Sequence, residues 1–321
     1  MDYKPIIIVA GEPNSVFSEI FFKSLKLKRF KSPIILIASQ QIIKLQMRKL
    51  NIRIKIRLID FSNLKKIQLD NKKINLINVN FNQKKPFDII TSKSNNYIKE
   101  SFEIALKILN TRITNKFING PISKKHFLKK KYLGITEYLA YKTKSKNFAM
   151  LIYNKDLSIC PITTHLPIKK VPKYINKDII KKKVQLLDVF FKRYLKKKPR
   201  IAVTGLNPHC ESINAFNEDE KIIKPSIKSL IRSNYKIFGP FAADTIFLKK
   251  NRCKYNIIVG MYHDQVLTPM KTLFEYNAIN ITLGLPFLRI SPDHGPNEKM
   301  IGKNKSDPTS LIKAITFLDT R

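Results

Sequence analysis

Glycine is scarce in this chain of 321 residues. Only nine glycines are present, and no two of them are separated by a single residue or lie five positions apart. The Rossmann fingerprint needs the first of these spacings and the Walker A loop needs the second. The sequence therefore excludes both phosphate-binding loops, and any dinucleotide must be bound in another way.

Cysteine and long apolar runs are also rare. The three cysteines form no CxxC pair and cannot all pair with one another, which favours a reducing compartment. No run approaches the ~18 apolar residues of a membrane span. The first run, Pro5–Ala10, is too short for a signal peptide and is soon followed by Glu12. We expect a soluble, cytoplasmic protein.

Acidic residues are few, with 23 Asp and Glu against 61 Lys and Arg, giving a net charge of +38. One interpretation is a nucleic-acid or anionic-membrane partner. The other is drift in composition. The lysines occur singly or in short runs along the whole chain, tryptophan is absent, and arginine is much rarer than lysine. We favour drift, and predict neither a specific nucleic-acid partner nor a membrane partner.

Short apolar runs alternate with longer amphipathic stretches. Runs bounded by Gly, Pro or Asn predict strands at Pro5–Ala10, Pro33–Ala38, Ile52–Ile59, Lys116–Ile118, Phe148–Tyr153, Leu157–Ile162, Arg200–Gly205, Asn256–Met261 and Ile279–Leu283. A helical period predicts helices at Ser15–Leu27, Tyr97–Thr111, Lys177–Leu195 and Glu220–Ser233, with a last helix after Pro308. This alternation is typical of an α/β fold with a largely parallel sheet. The polar segment 63–96 is interpreted as an irregular excursion over the surface.

Three of the five histidines share one setting. His165, His209 and His263 each follow a predicted strand. Because the carboxyl ends of parallel strands meet at one crevice, the three imidazoles form a plausible metal site. Each histidine alone is more typical of an ordinary loop residue, and spacing alone leaves the two interpretations equal. Asp244 and Asp264 add carboxylates that could orient such ligands.

One further group of residues indicates an anionic ligand. Lys271, Asn280 and Arg289 lie around the predicted strand Ile279–Leu283. Arginine is uncommon in this chain, and its planar guanidinium can bind a carboxylate or a phosphate with two hydrogen bonds.

Several motifs occur in the order and spacing found in one enzyme family. They are Gly11–Pro13, Thr163–Pro167, Gly205–His209, Gly239–Thr245, Met261–Gln265, Asn280–Phe287 and Asp293–Gly295. With these motifs the chain resembles the 4-hydroxythreonine-4-phosphate dehydrogenase family over nearly its whole length.

The resemblance implies a two-lobed α/β/α fold of the isocitrate/isopropylmalate dehydrogenase type, which binds NAD or NADP without a Rossmann fingerprint. It implies one lobe formed by residues 1–120 and 285–321 and a second formed by residues 121–284, which carries most metal and substrate residues. The implied reaction is oxidation of 4-phosphooxy-L-threonine at C3. Decarboxylation then gives 3-amino-1-hydroxyacetone phosphate, a precursor of pyridoxal 5′-phosphate.

The resemblance also assigns roles to residues. It implies a homodimer with a shared active site, and a divalent metal (Zn²⁺, Mg²⁺, Mn²⁺ or Co²⁺) held by three histidines, one of them from the partner subunit. By position the metal ligands are His165, His209 and His263. The substrate-binding positions are Thr136, Lys271, Asn280 and Arg289. Asp244 and Lys271 are candidates for proton transfer or for orienting the metal ligands. No cofactor-binding residue is assigned.

The chain departs from the family pattern at three places. Ile135 stands where the family commonly has a histidine, so one polar contact to the substrate is missing. The segments Asn14–Ser18 and Glu211–Asn217 lack the glycines that the family has there. The alternative is therefore a related metal-dependent dehydrogenase that acts on a different phosphorylated hydroxy acid.

Overall fold

A computed structural model describes residues 3–64, 66–128, 131–212, 216–292 and 295–321. The strands in these ranges are β1 (Ile6–Val9), β2 (Ile34–Ala38), β3 (Ile56–Leu58), β4 (Ile74–Asn78), β5 (Lys116–Asn119), β6 (Ala149–Tyr153), β7 (Ser158–Pro161), β8 (Ile201–Thr204), β9 (Ile237–Phe241), β10 (Ile257–Gly260), β11 (Ile279–Leu283) and β12 (Leu288–Pro292).

The same ranges contain the following α-helices, three of which are only four residues long. They are α1 (Phe17–Leu27), α2 (Gln40–Lys49), α3 (Asn95–Asn110), α4 (Ile135–Lys142), α5 (Val171–Tyr174), α6 (Lys177–Leu195), α7 (Lys224–Arg232), α8 (Ala243–Ile246), α9 (Lys249–Arg252), α10 (His263–Phe274) and α11 (Thr309–Asp319). Within the part of the chain that is described, none of them combines the length and the apolar character needed to cross a membrane.

Unit 1 consists of Met1–Tyr138 and Pro286–Arg321. Its strands follow the order β3-β4-β2-β1-β5-β12, and every pair in this order is parallel. Strands β1 and β2 consist of Ile, Val, Leu and Ala and are buried throughout. Near-continuous apolar strands are expected when helices cover both faces of a parallel sheet. The predicted α/β class is confirmed.

The first segment of unit 1 ends at residue 138, and the lobe boundary implied by the family resemblance was residue 120. An aromatic cluster explains where that segment ends. The ring of Phe102 on α3 has its centroid 6.3 Å from that of Phe127 and 5.7 Å from that of Tyr138. Since aromatic pairs at these distances stabilise packing, Phe127 and Tyr138 are held against α3 in unit 1.

Unit 2 consists of Leu139–Leu285. Its strands follow the order β11-β6-β7-β10-β8-β9. The pairs β11–β6 and β6–β7 are antiparallel, and β7, β10, β8 and β9 run parallel to one another. The parallel neighbours β7, β10 and β8 are fully buried strands, and their carboxyl ends lie along one edge.

The interpretation of residues 63–96 as an irregular surface excursion is wrong. This segment contains β4, which lies between β2 and β3 in the sheet of unit 1. Two asparagines in β4 interrupt its apolar pattern. Asn75 is nevertheless fully buried, and its Nδ2 donates hydrogen bonds to the carbonyl oxygens of Ile34 and Asp70. A buried amide whose NH₂ group is fully hydrogen-bonded is tolerated inside a sheet, but sequence pattern alone does not reveal those bonds.

Candidate active site

Each of the three strand-end histidines follows a strand of unit 2. His165 follows β7, His209 follows β8, and His263 is the first residue of α10, directly after β10. Because β7, β10 and β8 are parallel neighbours, the three loops leave the same edge of the unit 2 sheet.

Two of these imidazoles are adjacent. The ring centroids of His165 and His263 are 5.7 Å apart, and both side chains are half-buried. The Nδ1 atom of His263 makes a hydrogen bond of 2.6 Å with Oδ1 of Asp264, which orients the ring and leaves its Nε2 available. Carboxylates commonly orient metal-ligating histidines in this way. Two adjacent imidazoles fit a divalent ion as part of its ligand set.

His209 stands apart from this pair. It is exposed, and its backbone adopts the left-handed region with φ at 55°, followed by Cys210 with φ at 63°. Among the described residues, no three His, Cys, Asp or Glu side chains are close enough together to hold a metal ion. Within its described residues, one chain therefore brings together two of the three histidines that were predicted as metal ligands.

Hydrogen bonds tie the histidine-bearing loops together. The Thr163 hydroxyl donates to the carbonyl oxygen of Met261 over 2.8 Å, joining the loops that carry His165 and His263. The amide of Gln265 accepts from the Thr204 hydroxyl and donates to the Gly205 carbonyl oxygen, joining the start of α10 to the end of β8. Sequence reasoning assigned no role to these side chains.

A predicted substrate pair is brought together in unit 1. The Nη1 atom of Arg289 lies 3.4 Å from the Thr136 hydroxyl oxygen, and its Nε donates to Oδ1 of Asn119 over 2.8 Å. The Arg289 side chain is fully buried. Burial lowers the pKa of its guanidinium to about 9, with the nearby Glu137 acting in the opposite direction. The group therefore remains a cation at neutral pH and is suited to an anion.

The departure at Ile135 lies beside this cation. Ile135 begins α4 and is half-exposed, next to the buried Thr136. The family resemblance leads us to expect a polar side chain at this position, and an aliphatic group stands there instead.

The remaining predicted residues of unit 2 are more widely spaced. Lys271 lies eight residues after His263 on α10, which corresponds to about 12 Å along the helix. Asn280 is the second residue of β11, and its buried Oδ1 has no hydrogen-bond partner among the described residues. Asp244 is exposed at the start of α8, close enough to act electrostatically on Cys210.

Two motifs of the resemblance extend beyond the described ranges. Residues 213–215, in the glycine-poor segment after His209, lie outside them, as do residues 293–294 of the motif Asp293–Gly295.

The fold is of the isocitrate/isopropylmalate dehydrogenase type, as the resemblance implied. The family model described as "Pyridoxal phosphate biosynthetic protein PdxA" matches residues 29–318. The chain belongs to this family, whose named relatives are dehydrogenases and therefore oxidoreductases.

Individual relatives agree with the family. The chain is 36% identical over 316 residues to a 4-hydroxythreonine-4-phosphate dehydrogenase of Sulfurihydrogenibium sp. (strain YO3AOP1), covering 97% of this chain and 96% of the relative. It is 37% identical over 185 residues to a D-threonate 4-phosphate dehydrogenase of Pectobacterium atrosepticum, covering 57% of each chain. It is also similar to the solved structure of a 4-hydroxythreonine-4-phosphate dehydrogenase from Klebsiella pneumoniae, with a TM-score of 0.85, 27% identity, and coverage of 98% and 97%.

Proposed function

We propose that this chain catalyses the NAD(P)⁺-dependent and divalent-metal-dependent oxidation of 4-phosphooxy-L-threonine. The product, 2-amino-3-oxo-4-phosphooxybutanoate, then loses CO₂ to give 3-amino-1-hydroxyacetone phosphate for pyridoxal 5′-phosphate synthesis. The observation that carries the proposal is the similarity of 97% of the chain to a 4-hydroxythreonine-4-phosphate dehydrogenase.

The reaction is a hydride transfer followed by loss of CO₂. The hydride leaves C3 of the substrate for the nicotinamide ring, and the C3 hydroxyl gives up its proton. A bound divalent ion would supply Lewis-acid chemistry, lowering the pKa of that hydroxyl and stabilising the negative charge left when CO₂ departs. His165 and His263 would hold the ion together with His209, and Asp264 keeps the ring of His263 in place.

Cationic side chains orient the substrate in this proposal. Arg289, positioned by Asn119 and Thr136, is suited to one of the substrate's anionic groups. Lys271 is the candidate for a second anionic group or for proton transfer, and Asn280 for a hydrogen bond. Binding energy from groups remote from C3 can then align the substrate for hydride transfer. Asp244 remains a candidate for accepting or relaying a proton.

We further propose a homodimer with a shared active site. The spacing in one chain supports it, because no three His, Cys, Asp or Glu side chains among its described residues are close enough together to hold a metal ion. A second copy would supply the missing groups. The cytoplasmic location and the choice between NAD⁺ and NADP⁺ stay predictions.

A second candidate substrate follows from Ile135. D-Threonate 4-phosphate carries a hydroxyl at C2 where 4-phosphooxy-L-threonine carries an amine. One relative, which matches this chain over 57% of its length, is named D-threonate 4-phosphate dehydrogenase. Because Ile135 offers no polar atom beside Thr136, it removes one contact by which these two substrates could be distinguished.

A comparison of the two substrates tests the proposal. The purified protein would be assayed on each substrate with NAD⁺ and with NADP⁺, following the absorbance of the reduced cofactor. We expect kcat/KM to be at least about tenfold higher for 4-phosphooxy-L-threonine, the factor that corresponds to one net hydrogen bond of ~1.4 kcal/mol. Turnover of D-threonate 4-phosphate alone would establish the second candidate, and turnover of neither would reject both.

A further inference from the structure

A buried carboxylate holds the loop that leads to His209. Asp219 is fully buried, and its two oxygens accept hydrogen bonds from the backbone N–H of Leu206 at 2.8 Å and of Asn207 at 3.1 Å. The side-chain amide of Asn207 donates to the same carboxylate over 2.9 Å. One side chain thus accepts three hydrogen bonds from two consecutive loop residues and fixes the backbone just before Pro208 and His209.

The packing around this carboxylate leaves little freedom. A Cβ atom added at Gly205 would lie 2.6 Å from Oδ1 of Asp219 and 2.7 Å from Sγ of Cys210. Only glycine fits there without displacing the carboxylate or the thiol. The positive φ angles of His209 and Cys210 are unfavourable for residues with a Cβ, so they persist only where neighbouring contacts impose them.

Gln265 secures the other side of the same loop. Its Oε1 accepts from the backbone N–H of Met261 at 2.7 Å and from the Thr204 hydroxyl at 2.8 Å, while its Nε2 donates to the Gly205 carbonyl oxygen at 2.8 Å. The half-buried amide therefore links the ends of β8 and β10, which lead to His209 and to His263 respectively.

We propose that Asp219 and Gln265 are positioning residues that fix the loop carrying His209 and so set where its imidazole lies. Neither is assigned a contact with substrate or metal. They act through the backbone of the loop, whose conformation decides where the His209 imidazole points. The inference deepens the proposed function and rests on its assignment of the histidines as metal ligands.

The main test compares Asp219→Asn with Glu218→Gln. Asparagine keeps the size of the side chain but has one acceptor oxygen fewer, and its NH₂ would face the N–H donors of the loop. Glu218 is a matched control, since it also contacts the Asn207 amide, at 3.3 Å, and accepts no backbone N–H of this loop in the described structure. Gln265→Met is a second variant that removes three hydrogen bonds at a half-buried position and keeps the volume.

Two measurements are made on each full-length protein. Hydrogen–deuterium exchange of the metal-free protein reports protection of the Leu206 and Asn207 amides. Titration with Co²⁺, followed by its visible absorption, reports metal affinity and ligand geometry. We expect Asp219→Asn and Gln265→Met to weaken Co²⁺ binding by about 10- to 100-fold, the range typical of residues that orient metal ligands. We expect Asp219→Asn also to lose amide protection, and Glu218→Gln to stay within about twofold of wild type, as for a surface charge.

The outcomes separate the two proposals. Wild-type Co²⁺ affinity and wild-type amide protection in Asp219→Asn would overturn the positioning role. If Asp219→Asn fails to fold, wild-type Co²⁺ affinity in Gln265→Met would overturn it instead. If the wild-type protein binds no Co²⁺, the proposed metal site fails, and the exchange measurement still decides whether Asp219 orders the loop.

Discussion

Replacement of His209 by alanine is expected to lower kcat/KM for 4-phosphooxy-L-threonine by about 1000-fold. Lewis-acid stabilisation by a bound metal is worth several kcal/mol in the transition state, and each ~1.4 kcal/mol corresponds to a factor of ten in rate. The fold should be retained, because the side chain is exposed, with only a small loss of stability since alanine adopts φ 55° less readily than histidine. Steady-state kinetics, with thermal unfolding as a check on the fold, would measure both effects.

The matched control is His126→Ala. His126 lies in unit 1, in the helical turn Lys124–Leu128, and belongs to none of the predicted sites. It should retain wild-type kinetics. Full activity in His209→Ala would contradict the assignment of His209 as a metal ligand.

The second large effect is expected from Arg289→Met. Removing the charged partner of a buried anion typically costs ~2–5 kcal/mol, so kcat/KM should fall by about 30-fold or more. The free energy of unfolding should change by no more than about 1 kcal/mol, because the variant also loses the cost of burying a guanidinium. Kinetics and urea unfolding of the same preparations give the two quantities.

The pH dependence of stability provides an independent check on Arg289. Its pKa in the folded protein is lowered to about 9, below the value of the unfolded chain, so the unfolded state binds more protons above that pH. The wild type should therefore gain stability relative to Arg289→Met as the pH is raised above about 9. Two comparisons of activity complete the test of Arg289. Arg289→Lys keeps a charge but loses the planar fork, so it should recover only part of the activity that Arg289→Met loses. Equal activity of the Met variant and the wild type would remove Arg289 from the substrate site.

The position of the histidines could be predicted because it depends on local pattern. Apolar runs before His165, His209 and His263 predict buried strands, and parallel strands place their carboxyl ends at one edge. The structure has His165 and His263 adjacent, as expected from that rule. The pairing of Thr136 with Arg289 is different, since 153 positions separate them and only the family resemblance singled out both.

The supporting residues could not be predicted, for a physical reason. Asp219 contacts a backbone N–H 13 positions earlier, and Gln265 contacts a carbonyl oxygen 60 positions earlier. Asp219 lies in none of the motifs, and the motif Met261–Gln265 does not show what the Gln265 amide binds, so only the folded chain shows the partners of these polar groups. The same holds for Asn75, whose buried amide makes β4 look like a polar loop in the sequence.

Metal removal tests the central claim most directly. The protein would be dialysed against a strong chelator and assayed on 4-phosphooxy-L-threonine with NAD⁺ or NADP⁺, before and after addition of Zn²⁺, Mg²⁺, Mn²⁺ or Co²⁺. Turnover is predicted to fall by at least about 100-fold in the metal-free protein and to return with at least one of these ions. Unchanged turnover in protein shown to be free of metal would contradict it.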